Sequence, residues 1–513
     1  SDLTTNGTTS QCTDVQMGTC SEVDSEESRA AGWRFYGGVN LETTVTKPDG
    51  QKQVYRFSPK GMTLQETDEQ GQSTRHSYDG RNHLIKTTDP LGRETRHEYD
   101  AVGNRTASID ALGRRTDTSW DTVLNKPTQH TSYLLGVPSV QGGQQLSYTP
   151  VIQSMAYDGK GNVVAVSDPT GIASQISYGS QGQMGTLTLP ALANAQSIPT
   201  VQAGVAGSVP KTARKLSLAY NAAGDIAAMR DAQGNETRFS TDTLGRTTGQ
   251  TDPLGYNSTS QYNALDQLTQ ATDALNQTSA LNYDAAARLT GVVNQAGVTI
   301  EGYGYDSQGR VTRITDALGR NTTIRYDSSG RVDQVTDRKG QVTGITYDVK
   351  GQINQINKPG QSISYQYDVV GRLTEVRDAS TVSTHQYDSV DRLTQIDTTT
   401  SAGTHRLAYE YDSLDRVKLR TLSGTGIATP ETTTYEWDVA GRLLSHSTTV
   451  GGQAHKTSYQ YDAAGRLAAR KVQAGTTQDL ITQRYGYDTA ERLAQIKYIK
   501  GEGTGSEDRK SVV

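Results

Sequence analysis

His76 and His97 are the residues that most invite a metal. Each stands two positions before a tyrosine, on one strand face, and the two are 21 residues apart. If the residues between them make two strands at about 4.8 Å each, equivalent positions lie about 10 Å apart, too far to share one ion. His83 and His130 sit near turns with no carboxylate pattern, and the other histidines are scattered. Cys12 and Cys20 fit either a small disulfide loop or two reduced thiols, and no CxxC pair or Cys/His cluster suggests zinc. The many aspartates lack the Gly-Gly-x-Gly-x-Asp runs that calcium-binding β-rolls require. No Gly-x-Ser-x-Gly elbow sits between a strand and a helix, and no Cys/His pair falls within the repeats described below. The expectation is a chain that is not an enzyme, with no catalytic, cofactor-binding or metal-binding residue and no cofactor.

The aspartates belong to a period instead. Tyr-Asp phrases begin at Tyr78, Tyr99, Tyr157, Tyr283, Tyr305, Tyr326, Tyr347, Tyr367, Tyr387, Tyr411, Tyr461 and Tyr487, mostly 20 to 22 residues apart. Tyr220 and Tyr262 keep the phase with Asn in second place, and worn copies hold it at Tyr36, Phe57, Trp120, Thr241 and Trp437. The fullest copies define a signature: Tyr305, Asp306, Gly309, Arg310; Tyr326, Asp327, Gly330, Arg331; Tyr367, Asp368, Gly371, Arg372; and Tyr461, Asp462, Gly465, Arg466. Tyr78 with Asp79, Tyr99 with Asp100 and Gly103, and Tyr283 with Asp284 carry part of it.

Eleven residues after the tyrosine comes a second aspartate phrase, as at Asp89-Pro90-Leu91-Gly92 and Asp252-Pro253-Leu254-Gly255. Asp at the first position, Pro at the second and Gly at the fourth suit a type I turn. The segments between turns are about six residues long and alternate with period two, the pattern of short antiparallel strands. In "NTTIRYD", Thr322, Ile324 and Tyr326 share one face, with Thr323 and Arg325 opposite. The tyrosine is expected to anchor a buried face and the arginine to lay its stem over the tyrosine rings with its charge in water or against an aspartate. One repeat buries too little to fold alone, so neighbours must stack.

Composition agrees. Apolar residues make up 33% of 513, and 27 Tyr stand against 3 Phe and 3 Trp. Such a palette suits rings with hydroxyls near water or backbone. A net charge of −5 gives no reason to expect nucleic acid. No stretch approaches the roughly 20 apolar residues of a membrane helix.

The phrases "YDAAGRLAARK" from Tyr461, "YDVVGRLTEVRD" from Tyr367 and "YDSQGRVTRITDALGR" from Tyr305 resemble the YD repeats of RHS (rearrangement hotspot) proteins. The resemblance implies an all-β fold: a spiral of antiparallel β-hairpin repeats, about 21 residues each, forming part of a hollow shell. In bacterial RHS effectors and insecticidal toxin complexes such a shell encloses a C-terminal toxin domain, and teneurins carry a related shell at the cell surface. The implied function is therefore toxin encapsulation in an RHS polymorphic toxin or type VI secretion effector, secreted or delivered from a bacterial cell. The implied partners are the toxin domain of the same polypeptide, secretion-apparatus tip proteins and an immunity protein. A cell-surface adhesion or carbohydrate-binding protein, using exposed tyrosines as sugar platforms, is the alternative.

The expected organisation is a polar leader over 1–32, the array over 33–500 with irregular loops near 121–156 and 180–215, and a tail over 501–513. The terminal "DRKSVV" reads as the in-frame translation of a common sequencing adapter, which makes the tail non-native and the chain a fragment. Nothing after Tyr487 resembles the closing autoproteolytic segment of the family. Glycine is replaced by Asp391, Asp415 and Glu491 in three copies, and aspartate tolerates left-handed backbone better than glutamate does.

Overall fold

The computed structural model describes residues 34–38, 41–47, 50–135, 148–189, 214–462, 465–475, 478–487 and 493–499, with short strands at 3–5, 8–10 and 509–511. Cys12, Cys20 and Glu491 lie outside the described residues. Among the described residues there is no helix. The fold is all-β, and paired strands run antiparallel and follow one another along the chain. They divide between two compact units, one of Ser1–Thr116, Tyr303–Thr315 and Gly319–Arg406, the other of Asp117–Gly302, Asp316–Leu318 and Leu407–Val513.

One repeat shows why the chain folds this way. Asn321–Tyr326 pairs with Val332–Thr336, which pairs in turn with Val342–Tyr347. The first strand alternates exposed and half-buried residues along its whole length. At the Asp-Ser-Ser-Gly turn, the Gly330 amide donates to the Asp327 carbonyl at 3.0 Å, and the Asp327 amide to the Arg331 carbonyl at 2.8 Å. Gly330 has φ +79°, a left-handed conformation that costs glycine nothing. The result is a type I turn with a G1 bulge, and the ladder slips between Arg325 and Tyr326 as that bulge requires. The second phrase makes the same turn, with Gly340 donating to Asp337 at 2.9 Å. The left-handed position also accepts Asp391 (φ 68°), Asp415 (φ 65°), Asp266 (φ 61°) and Ala287 (φ 64°).

Two expectations change. The tyrosine face is half-buried, not buried: among the described residues only Ala107 and Val151 are buried apolar side chains, at 2% and 9% exposure. With so few apolar residues, the rings pack against arginine stems and neighbouring strands, not inside a dry core. Tyr36 does not precede a turn; it sits in mid-strand opposite Thr44, because Gly37 and Gly38 continue the ladder. Pro127–Leu135 and Tyr148–Tyr157 form a hairpin paired from Gln129–Ser154 to Leu135–Tyr148. On either side of 190–213, Met184–Leu189 pairs with Arg214–Tyr220. Where the repeat lengthens, so do the strands: Leu443–Val450 and Gln453–Tyr461 close over a Gly451-Gly452 turn with both glycines at positive φ.

Candidate functional site: the repeat turns and the strand face between them

Each turn is held by its first aspartate. Asp327 Oδ1 accepts the amides of Ser329 and Arg331, both at 2.9 Å, and Oδ2 accepts Arg331 Nε at 2.8 Å. Burial alone would raise the Asp327 pKa, but the Arg331 amide and guanidinium outweigh it and hold the carboxyl below its usual range. At Asp242 the Arg246 guanidinium is the main cause of the same lowering. At Asp306 it is the Arg310 amide.

The arginine then reaches the next repeat. Arg331 Cζ lies 4.6 Å from the centre of the Tyr347 ring, and the Tyr347 phenol donates to the Val332 carbonyl at 2.7 Å. Backbone pairing toward Val342–Tyr347 covers only Gln334 to Thr336, so the phenol caps a carbonyl beyond the last rung. Burial, and then the Asp327 charge, raise the Tyr347 pKa. One repeat earlier, Arg310 covers Tyr326 at 4.4 Å and Tyr326 donates to Val311 at 2.7 Å. Arg246 over Tyr262, Arg372 over Tyr387, Arg442 over Tyr461 and Arg466 over Tyr487 repeat the arrangement. Trp437 takes the tyrosine's place, its Nε1 donating to the Val417 carbonyl at 2.8 Å.

The other signature residues occupy equivalent places. The phenols of Tyr78, Tyr99, Tyr283, Tyr367 and Tyr461 donate to the carbonyls of Thr63, Leu84, Leu268, Ile353 and Leu443. Asp79, Asp100, Asp284, Asp368 and Asp462 accept turn amides. Gly103, Gly309, Gly371 and Gly465 have positive φ. Each signature copy thus closes its own turn through the aspartate and glycine and reaches a neighbouring repeat through the tyrosine and arginine.

Sequence reading missed the substitutes for arginine. His83 stands five after Tyr78, bonds Asp79 through Nδ1 at 2.9 Å and stacks on Tyr99 at 4.7 Å. Gln352 stands five after Tyr347 and donates to the Gly371 carbonyl at 2.9 Å. Position five after the tyrosine was the available signal. His76 and His97 bond Thr87 and Ser108 respectively through Nδ1. Among the described residues no cluster of three or more His, Cys, Asp or Glu could hold a metal, and no helix is long and apolar enough to cross a membrane.

The strand face opposite the tyrosines carries cross-strand ion pairs. Lys86–Glu94, Arg115–Glu98, Arg230–Glu236, Arg325–Asp333 and Arg406–Asp397 lie between 2.5 and 3.0 Å. Four of these pairs join adjacent strands and Arg115–Glu98 reaches across the strand between, so the paired charges leave the face polar.

Within the first unit the turns also form a seam. Arg93, in the second phrase of its repeat, donates to Asp391 at 2.6 Å and to the Ser389 carbonyl at 3.2 Å. Asp391 also accepts Arg372 at 2.8 Å. Lys350 bonds Asp68 at 2.5 Å and the Val369 carbonyl at 2.7 Å. Pro90, Ala111, Val369, Val370 and Val390 line the cleft of about 620 Å³ between these turns. Asp391, which the sequence marks only as a worn glycine, is the acceptor that joins residues 298 apart.

A family model described as RHS Repeat matches residues 57–94, 78–115, 242–278, 262–299, 283–323 and 305–342. One described as Teneurin YD-shell matches residues 336–481. No curated protein matches the chain. Among solved structures the chain is similar to TcdB2-TccC3-Cdc42, with 15% identity over 93% of this chain and 30% of that one, at a TM-score of 0.48. It is also similar to TcdB2-TccC3, with 11% identity over 95% and 39% at a TM-score of 0.41. A third similar structure is a Tc holotoxin pore of Photorhabdus luminescens, with 14% identity over 93% and 34% at a TM-score of 0.37. The chain therefore spans well under half the length of these proteins. The turn ladder and the two family models together identify the chain as a member of the RHS/YD-repeat family.

Proposed function

We propose that this chain forms part of the wall of a container enclosing a C-terminal toxin domain of the same polypeptide, and that it is a scaffold without catalysis of its own. The observation that carries the reading is how fully the reactive groups are used within the sheet. Tyrosine hydroxyls cap backbone carbonyls, turn carboxylates hold amides and arginines, and the opposite face neutralises its charges in pairs. A face of that kind neither grips an unfolded cargo by apolar contact nor selects it by charge, as a general container needs. In this reading the protein is delivered from a bacterial cell, and its partners are the enclosed domain and that domain's immunity protein. A sugar-binding platform needs exposed rings, and among the described tyrosines only Tyr256 and Tyr498 are exposed, at 54% and 38%.

Limited proteolysis of the polypeptide encoded by the complete gene tests the proposal. The downstream domain should survive while the repeats are intact and be cleaved once they are opened. Cleavage of that domain at the rate it shows when expressed alone refutes the container.

A further inference from the structure

The seam of the first unit and the strands behind it are held by different forces. Contacts across the seam run through side chains at the turns: Arg93 to Asp391 and the Ser389 carbonyl, and Lys350 to Asp68. Pro90, Ala111, Val369, Val370 and Val390 line the cleft of about 620 Å³ between the turns instead of filling it, so apolar contact across it is thin. The strands behind each turn are held by backbone ladders. Lys86–Arg96, Thr87–Thr95 and Thr88–Glu94 pair on one side, and Glu375–Thr384, Val376–Ser383 and Arg377–Val382 on the other.

Breaking an ion pair is costly when it leaves a charge without a partner. Here each charged group keeps a partner on its own side of the seam. Arg93 Nε bonds Asp89 at 2.6 Å. Asp391 accepts Arg372 at 2.8 Å, and Arg372 is itself held by Asp368 at 2.7 Å. Lys350 holds the Val369 carbonyl at 2.7 Å, and Asp68 accepts the amides of Gln70 and Gln72 at 2.9 and 2.8 Å. The seam can therefore part without stranding a charge. Its carboxylates are also open to solvent, Asp391 at 52% and Asp68 at 25%, so salt reaches both pairs.

We propose that the seam is a reversible latch. The turns at 68–71, 89–92 and 110–113 part from those at 348–351, 368–371 and 388–391 when ionic strength weakens the two ion pairs, and the strands on both sides stay paired. The sheet then opens along a line of turns, not by unfolding. The proposal does not depend on the container reading.

Electron paramagnetic resonance on the full chain tests it. Spin labels at Leu91→Cys and Val349→Cys, exposed turn positions on opposite sides of the seam, report its width, with Cys12→Ser and Cys20→Ser removing the native thiols. At about 0.01 M NaCl one short distance should dominate. At about 1 M, where the Debye length has fallen from about 30 Å to about 3 Å, a longer distance should become the larger population. Dilution should restore the short one. Amide exchange in Glu94–Tyr99 and Leu373–Arg377 should keep its protection throughout. Asp391→Asn with Lys350→Gln, labelled in the same way, should show the longer distance already at low salt, since asparagine tolerates the φ of 68° at position 391. A short distance at every salt concentration overturns the proposal. So does a longer distance that appears only as the ladders lose protection, because opening would then be unfolding. The salt series on the labelled parent decides between these outcomes even where the charge variant fails to fold.

Discussion

Replacing Asp327 separates the two jobs of the turn carboxylate. Asp327→Ala removes the acceptor for the Ser329 and Arg331 amides and the partner of the Arg331 guanidinium. Hydrogen bonds to a charged acceptor are worth about 1.5–3 kcal/mol each, and amides at a turn recover part of that from water, so the expected cost is about 2–3 kcal/mol. Asp327→Asn keeps a side-chain oxygen for the amides and loses only the ion pair. That pair is partly open to solvent, with Arg331 28% and Asp327 20% exposed, so its loss should cost about 1 kcal/mol. A repeat contacts only its neighbours, so the effect should be local. Amide hydrogen exchange is the assay. In Asp327→Ala, exchange around residues 326–347 should accelerate roughly 30- to 150-fold, at about 1.4 kcal/mol per decade. In Asp327→Asn it should accelerate less than ten-fold, and distant repeats should stay unchanged in both. Equal effects from the two variants refute the reasoning, because the ion pair and not the amide cap would then hold the turn.

Tyr347→Phe removes the donor to Val332 and should cost about 1 kcal/mol; exchange near Val332 would report it. Arg331→Lys should cost a similar amount, since an ammonium cannot both fork to Asp327 and lie flat on Tyr347. Ala287→Gly should stabilise its repeat by about 0.5–1 kcal/mol by relieving a left-handed alanine. Asp391→Gly relieves similar strain but breaks the contact to Arg93, so it should loosen exchange at Arg93 instead of tightening its own repeat. The lowered carboxyls of Asp242, Asp306, Asp327 and Asp368 fix the sign of the pH response. Their contribution is fully present above the unfolded value near 3.9 and is lost as pH falls through the lower folded values. A circular-dichroism titration should therefore show the sheet unchanged from neutral pH to about 5 and melting below about 4.

The sequence by itself determined the repeat, its turns and its strand register. These are local properties: an aspartate that caps amides two and four residues on, a glycine at the left-handed position, and a period of two between turns. All fit within one copy, so a single copy is enough to read them. Tertiary structure alone decided what each tyrosine, arginine and worn position touches. Tyr347 closes on Val332 and under Arg331, and Asp391 takes Arg93 from across the first unit, 298 residues away. A sequence period records that residues recur; which recurring residues come into contact depends on how neighbouring strands and turns pack. The same reason explains why the tyrosine face is only half-buried. Alternation shows which side chains share a face, and only the packed structure shows how little lies over it.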